Sequence, residues 1–232
     1  MIIDPSMLPL RPASVQWDRE YRDLIGDQWL KHKTERRRRI EDKMAYLTDK
    51  APEVLKCHDR LIIDLGPGPG EFLEICRLLG HHILGIDAAD GYGGMGDDYL
   101  KLSRMLAERQ EIPIEYCGVG RWLAKEFDEQ AFLINSQGSF EQIFAGHLDG
   151  PPHHECRNTS RLLWKLTESL TADLLLFFKG MNARLESKGF LAIWMNGAAN
   201  HTSLEELVVG IADSVGLKLI ARENKFLKWT KA

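Results

Sequence analysis

Cysteine is scarce and unpatterned in this sequence. The four, Cys57, Cys76, Cys117 and Cys156, form no CxxC pair, which argues against a disulfide scaffold or a structural zinc site and suits a reducing compartment, with four free thiols expected. A basic excess is missing too. Thirty Lys and Arg against 34 Asp and Glu leave a net charge of −4 and a pI near 6.1, so a protein that wraps a phosphate backbone is not the first reading. There is no long apolar run: the densest, 174–178, is closed by Lys179 and is far short of the ~20 residues a membrane-spanning helix needs. The opening stretch MIIDPSMLPLRPAS carries acid and proline where an export signal needs a basic start and an unbroken apolar segment, so a cytoplasmic protein is expected. Internal repeats and low-complexity tracts are also absent.

What remains is an ordinary globular composition, with 44% hydrophobic and 28% charged residues in 232, enough for one large core. Residues 1–56 read as an N-terminal helical extension or cap and 57–232 as the main domain. In the extension, Trp17, Tyr21, Leu24, Ile25 and Trp29 recur at helical spacing, and 31–39 (KHKTERRRR) places six Lys and Arg in nine positions, a solvated helix face or an anion-binding patch. The run 60–64 then reads as a strand, 66–70 as a glycine-proline loop and 71–79 as a helix. Residues 82–87 form a second strand, so a parallel sheet with crossover helices is expected. Further along, 88–96 is a glycine-rich loop and 99–108 a helix. Strands are expected at 112–117 and 139–145 (SFEQIFA), with a short helix at 121–128 and an irregular segment over 146–158. A helical stretch spans 159–185, as one helix or as two with a break near Gly180. A fifth strand at 189–194, a helix at 203–215 and a hairpin of strands at 217–222 and 225–230 complete the chain.

The chemistry concentrates in one motif. Asp64-Leu-Gly66-Pro67-Gly68-Pro-Gly70 is D-x-G-x-G-x-G at the end of a strand and the start of a helix. Glycines there permit a sharp turn and close backbone approach, and the helix start offers unpaired N–H groups. A dinucleotide loop, G-x-G-x-x-G, would need glycine at 71, where this chain has Glu71, an acid that would repel a pyrophosphate. A ligand with a zwitterionic end fits better, with Asp64 accepting from an ammonium group or ordering the loop amides. Asp87 closes the second strand, where an acid can take both hydroxyls of a ribose.

On these residues the sequence resembles the class I S-adenosylmethionine-dependent methyltransferases over 61–232. The resemblance implies an α/β, three-layer Rossmann-like methyltransferase fold: a mostly parallel seven-stranded sheet with an antiparallel C-terminal strand, plus an N-terminal helical segment. It implies S-adenosyl-L-methionine as cofactor, its methionine part held by Asp64, Gly66, Pro67, Gly68 and Gly70, its ribose by Asp87 and its adenine near Ala88. The family's acid after the third strand is absent from Cys117-Gly118-Val119-Gly120, so backbone contacts from Gly118 or Val119 take its place. Residues 139–149 look like the family's fourth-strand segment, whose end lies under the transferring methyl, which implies that Ala145 belongs to the cofactor site and that His147 points toward the reaction centre.

Methyl transfer is an in-line displacement that needs alignment and exclusion of water, and a base only for weak nucleophiles. His147 is the candidate base, with Asp149, His153 and His154 as alternatives; a purely structural His147 is an equal reading. His147, Asp149, His153, His154 and Glu155 also invite a metal reading, but no i, i+4 pair fixes their geometry and no metal is expected. Asp149-Gly-Pro-Pro-His153 faintly resembles the element that grips exocyclic amines in base methyltransferases. The expectation is a methyltransferase acting on a small-molecule or glycan-type acceptor, at oxygen if His147 is a base. A nucleic-acid base methyltransferase, an NAD(P)-dependent oxidoreductase and a non-catalytic cofactor-binding protein are the alternatives.

Overall fold

The computed structural model describes residues 40–68, 70–87, 111–144, 153–158, 161–195 and 200–232, with isolated helical positions at 104, 107 and 108. Helix α1 (40–50) is followed by a 3-10 turn, Val54–Lys56. Strand β1 (Leu61–Leu65), helix α2 (Glu71–Leu78) and strand β2 (His82–Asp87) form the first crossover unit. Strand β3 (Ile114–Tyr116), helix α3 (Val119–Leu123) and strand β4 (Ala131–Gln137) come next. A small hairpin, β5 (His154–Asn158) and β6 (Arg161–Trp164), precedes the long helix α4 (Glu168–Arg184). Strand β7 (Leu185–Trp194), helix α5 (His201–Ser214) and strands β8 (Leu217–Glu223) and β9 (Phe226–Lys231) end the chain.

The main sheet has seven strands in the order β3-β2-β1-β4-β7-β9-β8. Every pairing from β3 to β7 is parallel, and β9 alone runs antiparallel to both its neighbours, β7 and β8. This is the expected three-layer α/β architecture with an antiparallel final strand. All five residues of β1 are buried, as a central strand covered on both faces requires. On one face Ile62, Leu133 and Ala192 pack with Tyr46, Leu47, Ala51 and Val54 of the N-terminal segment and with Phe72 and Ile75 of α2. On the other, Ile63, Ile134, Leu191 and Trp229 pack with Trp122 of α3, Leu170 to Met181 of α4 and Leu204 to Ala212 of α5. No helix among the described residues is long and apolar enough to cross a membrane.

Three sequence expectations are corrected. The fourth strand is Ala131–Gln137, not 139–145: Phe140–Gln142 is a helical turn, and Phe140 and Phe144 pack on Phe177 at 5.8 and 5.5 Å between ring centroids. Phe140, Ile143 and Phe144 are all buried, and their spacing of three and four suits a helix as well as a loosely alternating strand. Residues 154–158, expected to be irregular, pair with β6, which also removes the first residues from the helical stretch expected at 159–185. Thr167 starts α4 instead, its hydroxyl accepting from the Leu170 amide at 3.2 Å, the usual cap of a helix start. Of the two alternatives for this stretch, α4 is the single helix, running unbroken through Gly180. There a β-carbon would lie 2.6 Å from Leu123 Cδ2, so this glycine serves the close approach of α3 rather than a break.

Candidate functional site

In an open parallel sheet, a ligand crevice forms at the carboxyl ends of the strands, where successive crossovers leave in opposite directions. Here that point lies between β1 and β4, since β2 and β4 flank β1 on its two sides. The D-x-G-x-G-x-G loop sits there. Gly66, Gly68 and Gly70 adopt φ of 71°, 53° and 83°, the left-handed region that side chains resist. The Gly66 amide donates to the Ile86 carbonyl at 2.8 Å and the Gly70 amide to the Pro67 carbonyl at 3.0 Å, which folds the loop back before α2 begins. A β-carbon on Gly66 would stand 2.5 Å from Ser139 Cβ. Ser139 in turn donates to the Leu65 carbonyl and shares a 2.8 Å hydrogen bond with Ser136, so the turn after β4 locks the loop after β1.

Beneath the loop, Asp64 is only 5% exposed. It lies in register with Asn135 of β4, whose Nδ2 donates to Asp64 Oδ1 at 2.7 Å. Asn135 Oδ1 accepts from the Tyr46 hydroxyl of α1, also at 2.7 Å. Next along β4, Gln137 Oε1 accepts from the Lys43 ammonium of the same helix. Burial pushes the Asp64 carboxyl up to about 7; Lys43 and the Asn135 bond pull it down, and Asp87 adds to the rise. Burial also holds the Tyr46 phenol well above its ordinary value, and it raises the thiol of Cys76, on the adjoining face of α2, to which Asp64 adds.

Asp87 ends β2, in register with Tyr116 of β3, and the Arg104 guanidinium lies 4.6 Å from the Tyr116 ring centroid. Gly118 caps α3 in an extended conformation and Val119 is buried as its first residue. Asp64, the loop glycines, Asp87, Gly118 and Val119 thus share the carboxyl edge of the sheet. Ala88, Ala145, His147 and Asp149 lie outside the described residues. His153 is buried and paired with Asp173 of α4, Nε2 to Oδ2 at 2.5 Å, which gives it a structural partner. Among the described residues no group of three or more His, Cys, Asp or Glu could hold a metal ion, and Cys57, Cys76 and Cys117 are free thiols. Glu71, the residue that breaks the dinucleotide pattern, opens α2 and is buried.

Lys43, Tyr46, Asn135, Gln137 and Ser139 escaped the reading of sites from sequence. The last of these lies in the 139–145 stretch whose pattern predicts a strand, and the turn between Gln137 and Ser139 is marked by Gly138, at φ 75°. Glycine closing an apolar run, AFLINSQG, was the available signal.

No family model matches this chain, and no curated protein matches it. Among solved structures it is similar to N-methyltransferase NodS from Bradyrhizobium japonicum WM9, with 11% identity, 84% of this chain and 95% of that one covered, and a TM-score of 0.48. It is similar to magnesium protoporphyrin IX methyltransferase (ChlM) from Synechocystis PCC 6803, with 11% identity, coverage of 100% and 99%, and a TM-score of 0.47. It is also similar to a proposed sarcosine dimethylglycine methyltransferase from Galdieria sulphuraria, at 16% identity and TM-score 0.47, covering 79% of this chain and 63% of that one. The chain thus spans less than two thirds of the Galdieria protein. NodS has been solved with S-adenosyl-L-homocysteine and ChlM with bound SAM.

Proposed function

We propose that this chain is an S-adenosyl-L-methionine-dependent methyltransferase acting on a small-molecule or glycan-type acceptor. The observation that carries the reading is the loop of three left-handed glycines at the switch point of the sheet, with a buried acid beneath it and a second acid at the tip of the neighbouring strand. That donor set suits a nucleoside bearing an amino-acid zwitterion: Asp64 and the Gly66, Pro67, Gly68 and Gly70 backbone for the amino-acid end, Asp87 for the ribose hydroxyls, and Ala88 with the Gly118 and Val119 backbone for the base. Glu71 at the first turn of α2 disfavours a pyrophosphate and hence the nicotinamide reading.

When bound, the cofactor supplies an electrophilic methyl group. The chain's own part is to orient it and exclude water, with Ala145 in the cofactor site and His147, or Asp149 in its place, removing a proton from an acceptor hydroxyl. Residues 1–56 serve as an N-terminal extension or cap, of which 40–56 pack on the domain. The unpatterned cysteines suit a cytoplasmic location. Calorimetric titration with S-adenosylmethionine, S-adenosylhomocysteine and NAD(P)H tests the reading. Micromolar binding of the first two alone is expected; binding of NAD(P)H alone would replace it with an oxidoreductase.

A further inference from the structure

The N-terminal helix does more than cover the sheet. Tyr46 and Asn135 are 89 residues apart in sequence, and Asn135 and Asp64 are 71 apart, yet the three form one hydrogen-bonded line from α1 to the switch point. An asparagine amide has two ends of opposite polarity. Because the Tyr46 phenol stays protonated and donates to Oδ1, the NH2 end of Asn135 must face Asp64. Turned around, the amide would set its oxygen against the carboxylate. The groups that act electrically on Asp64 are Lys43 and Tyr46 from α1, Cys76 from α2 and Asp87 from β2; β4 faces it with the neutral Asn135. Lys43 is the cation among them.

We propose that α1 is a working part of the cofactor site: Tyr46 and Asn135 are positioning residues that aim the Asp64 carboxylate at the cationic amino group of the ligand, and Lys43 is the countercharge that favours the ionised carboxylate. This rests on the S-adenosylmethionine reading above. Burial drives a carboxyl toward its neutral form, which cannot make an ion pair with an ammonium. With Asp64 pushed up to about 7, its charge is poised where the countercharge on α1 decides how much of the site is competent. Binding of a ligand with an amino-acid group then depends on pH, and binding of the bare nucleoside does not.

The test is calorimetric titration from pH 5.5 to 8.5 with S-adenosylhomocysteine and, in parallel, with 5′-methylthioadenosine, which lacks the amino-acid group. The wild type should gain up to about tenfold in affinity for S-adenosylhomocysteine between pH 6 and pH 8, from one carboxyl ionising near 7, while methylthioadenosine stays level. Lys43→Met should move the S-adenosylhomocysteine profile to higher pH and Lys43→Arg should restore it. Tyr46→Phe, which keeps the edge contacts with Phe72 at 6.0 Å and Phe226 at 6.1 Å, should weaken S-adenosylhomocysteine roughly fivefold to tenfold and leave methylthioadenosine unchanged. Parallel profiles for the two ligands, or a Lys43→Met profile that overlays the wild type, overturn the inference while the cofactor reading stands. Failure of both ligands to bind at any pH overturns that reading and this inference with it.

Discussion

Replacing Gly66 with alanine tests whether the glycine loop is held by backbone geometry and by the turn after β4 together. Two costs add. The residue sits at φ 71°, where a β-carbon costs roughly 1–2 kcal/mol. That carbon would also stand 2.5 Å from Ser139 Cβ, and forcing extra volume into a packed site costs about 1–3 kcal/mol. Gly66→Ala should therefore destabilise the fold by about 2–5 kcal/mol, read from urea denaturation. Ser139→Gly separates the two terms. Alone it removes the bonds of Ser139 to the Leu65 carbonyl and to Ser136, worth about 1–2 kcal/mol. Combined with Gly66→Ala it opens the space that the new carbon needs, so the double variant should be more stable than the sum of the singles by about 1–3 kcal/mol. Of the two costs of Gly66→Ala only the conformational one should survive in it, beside the lost bonds of Ser139. A double variant that is additive within about 0.5 kcal/mol would refute the steric lock, and an unaltered Gly66→Ala would refute both.

Three further expectations follow from the same structure. Asp64 is held neutral up to about 7 in the folded chain, whereas an unfolded carboxyl ionises near 3.9, so the native state binds the extra proton between those values and stability falls by about 4 kcal/mol as pH rises from 4 to 7. Asp64→Asn should lose that slope, and denaturation curves at pH 5 and pH 7.5 that shift equally in both proteins would refute it. Arg184 is buried and its Nη2 donates to the carbonyls of Trp122, Leu123 and Lys125 at 2.6, 3.1 and 2.9 Å, closing the end of α3. Arg184→Met should cost about 3 kcal/mol by removing the one side-chain donor that these carbonyls share, and Arg184→Lys somewhat less, since one ammonium replaces a planar fork; two variants within about 0.5 kcal/mol of wild type would contradict this role. Asp87→Ala should weaken S-adenosylhomocysteine by roughly 1–3 kcal/mol in calorimetry, and unchanged affinity in the folded variant would remove Asp87 from the ribose site.

Much of the architecture was legible because it depends on local signals. The run 60–64, the glycines and the helix after them obey short-range rules, and so does the final hairpin, although its turn falls at Asn224-Lys225, with φ of 35° and 74°, one residue beyond the turn-prone Glu223-Asn224 pair. The fourth strand was missed for a reason that is physical. AFLINSQ ends in three polar residues, and a polar cluster before glycine reads as a loop. The strand persists because both of its edges are hydrogen-bonded, to β1 and to β7, and because its polar side chains have partners: Asn135 has Asp64 and Tyr46, Ser136 has Ser139, and Gln137 has Lys43.

The same contrast explains the site. An acid at the tip of a strand before a glycine loop announces itself within seven residues, and so Asp64 and the loop could be named from sequence. What sets the behaviour of that acid is its surroundings, and these come from α1, α2, β2 and β4. Nothing in the spacing of Lys43 or Tyr46 distinguishes them from other residues on the face of an amphipathic helix. Tyr46 even satisfies the apolar pattern, since its ring packs with Phe72 and Phe226 while its hydroxyl reaches Asn135. A tyrosine can do both because its body is apolar and its tip is not. Periodicity reports the ring and is silent about the hydroxyl. Residues that position a charge through a second residue are therefore the ones that pattern reading passes over, and they come into view only when the sheet register brings β1 beside β4.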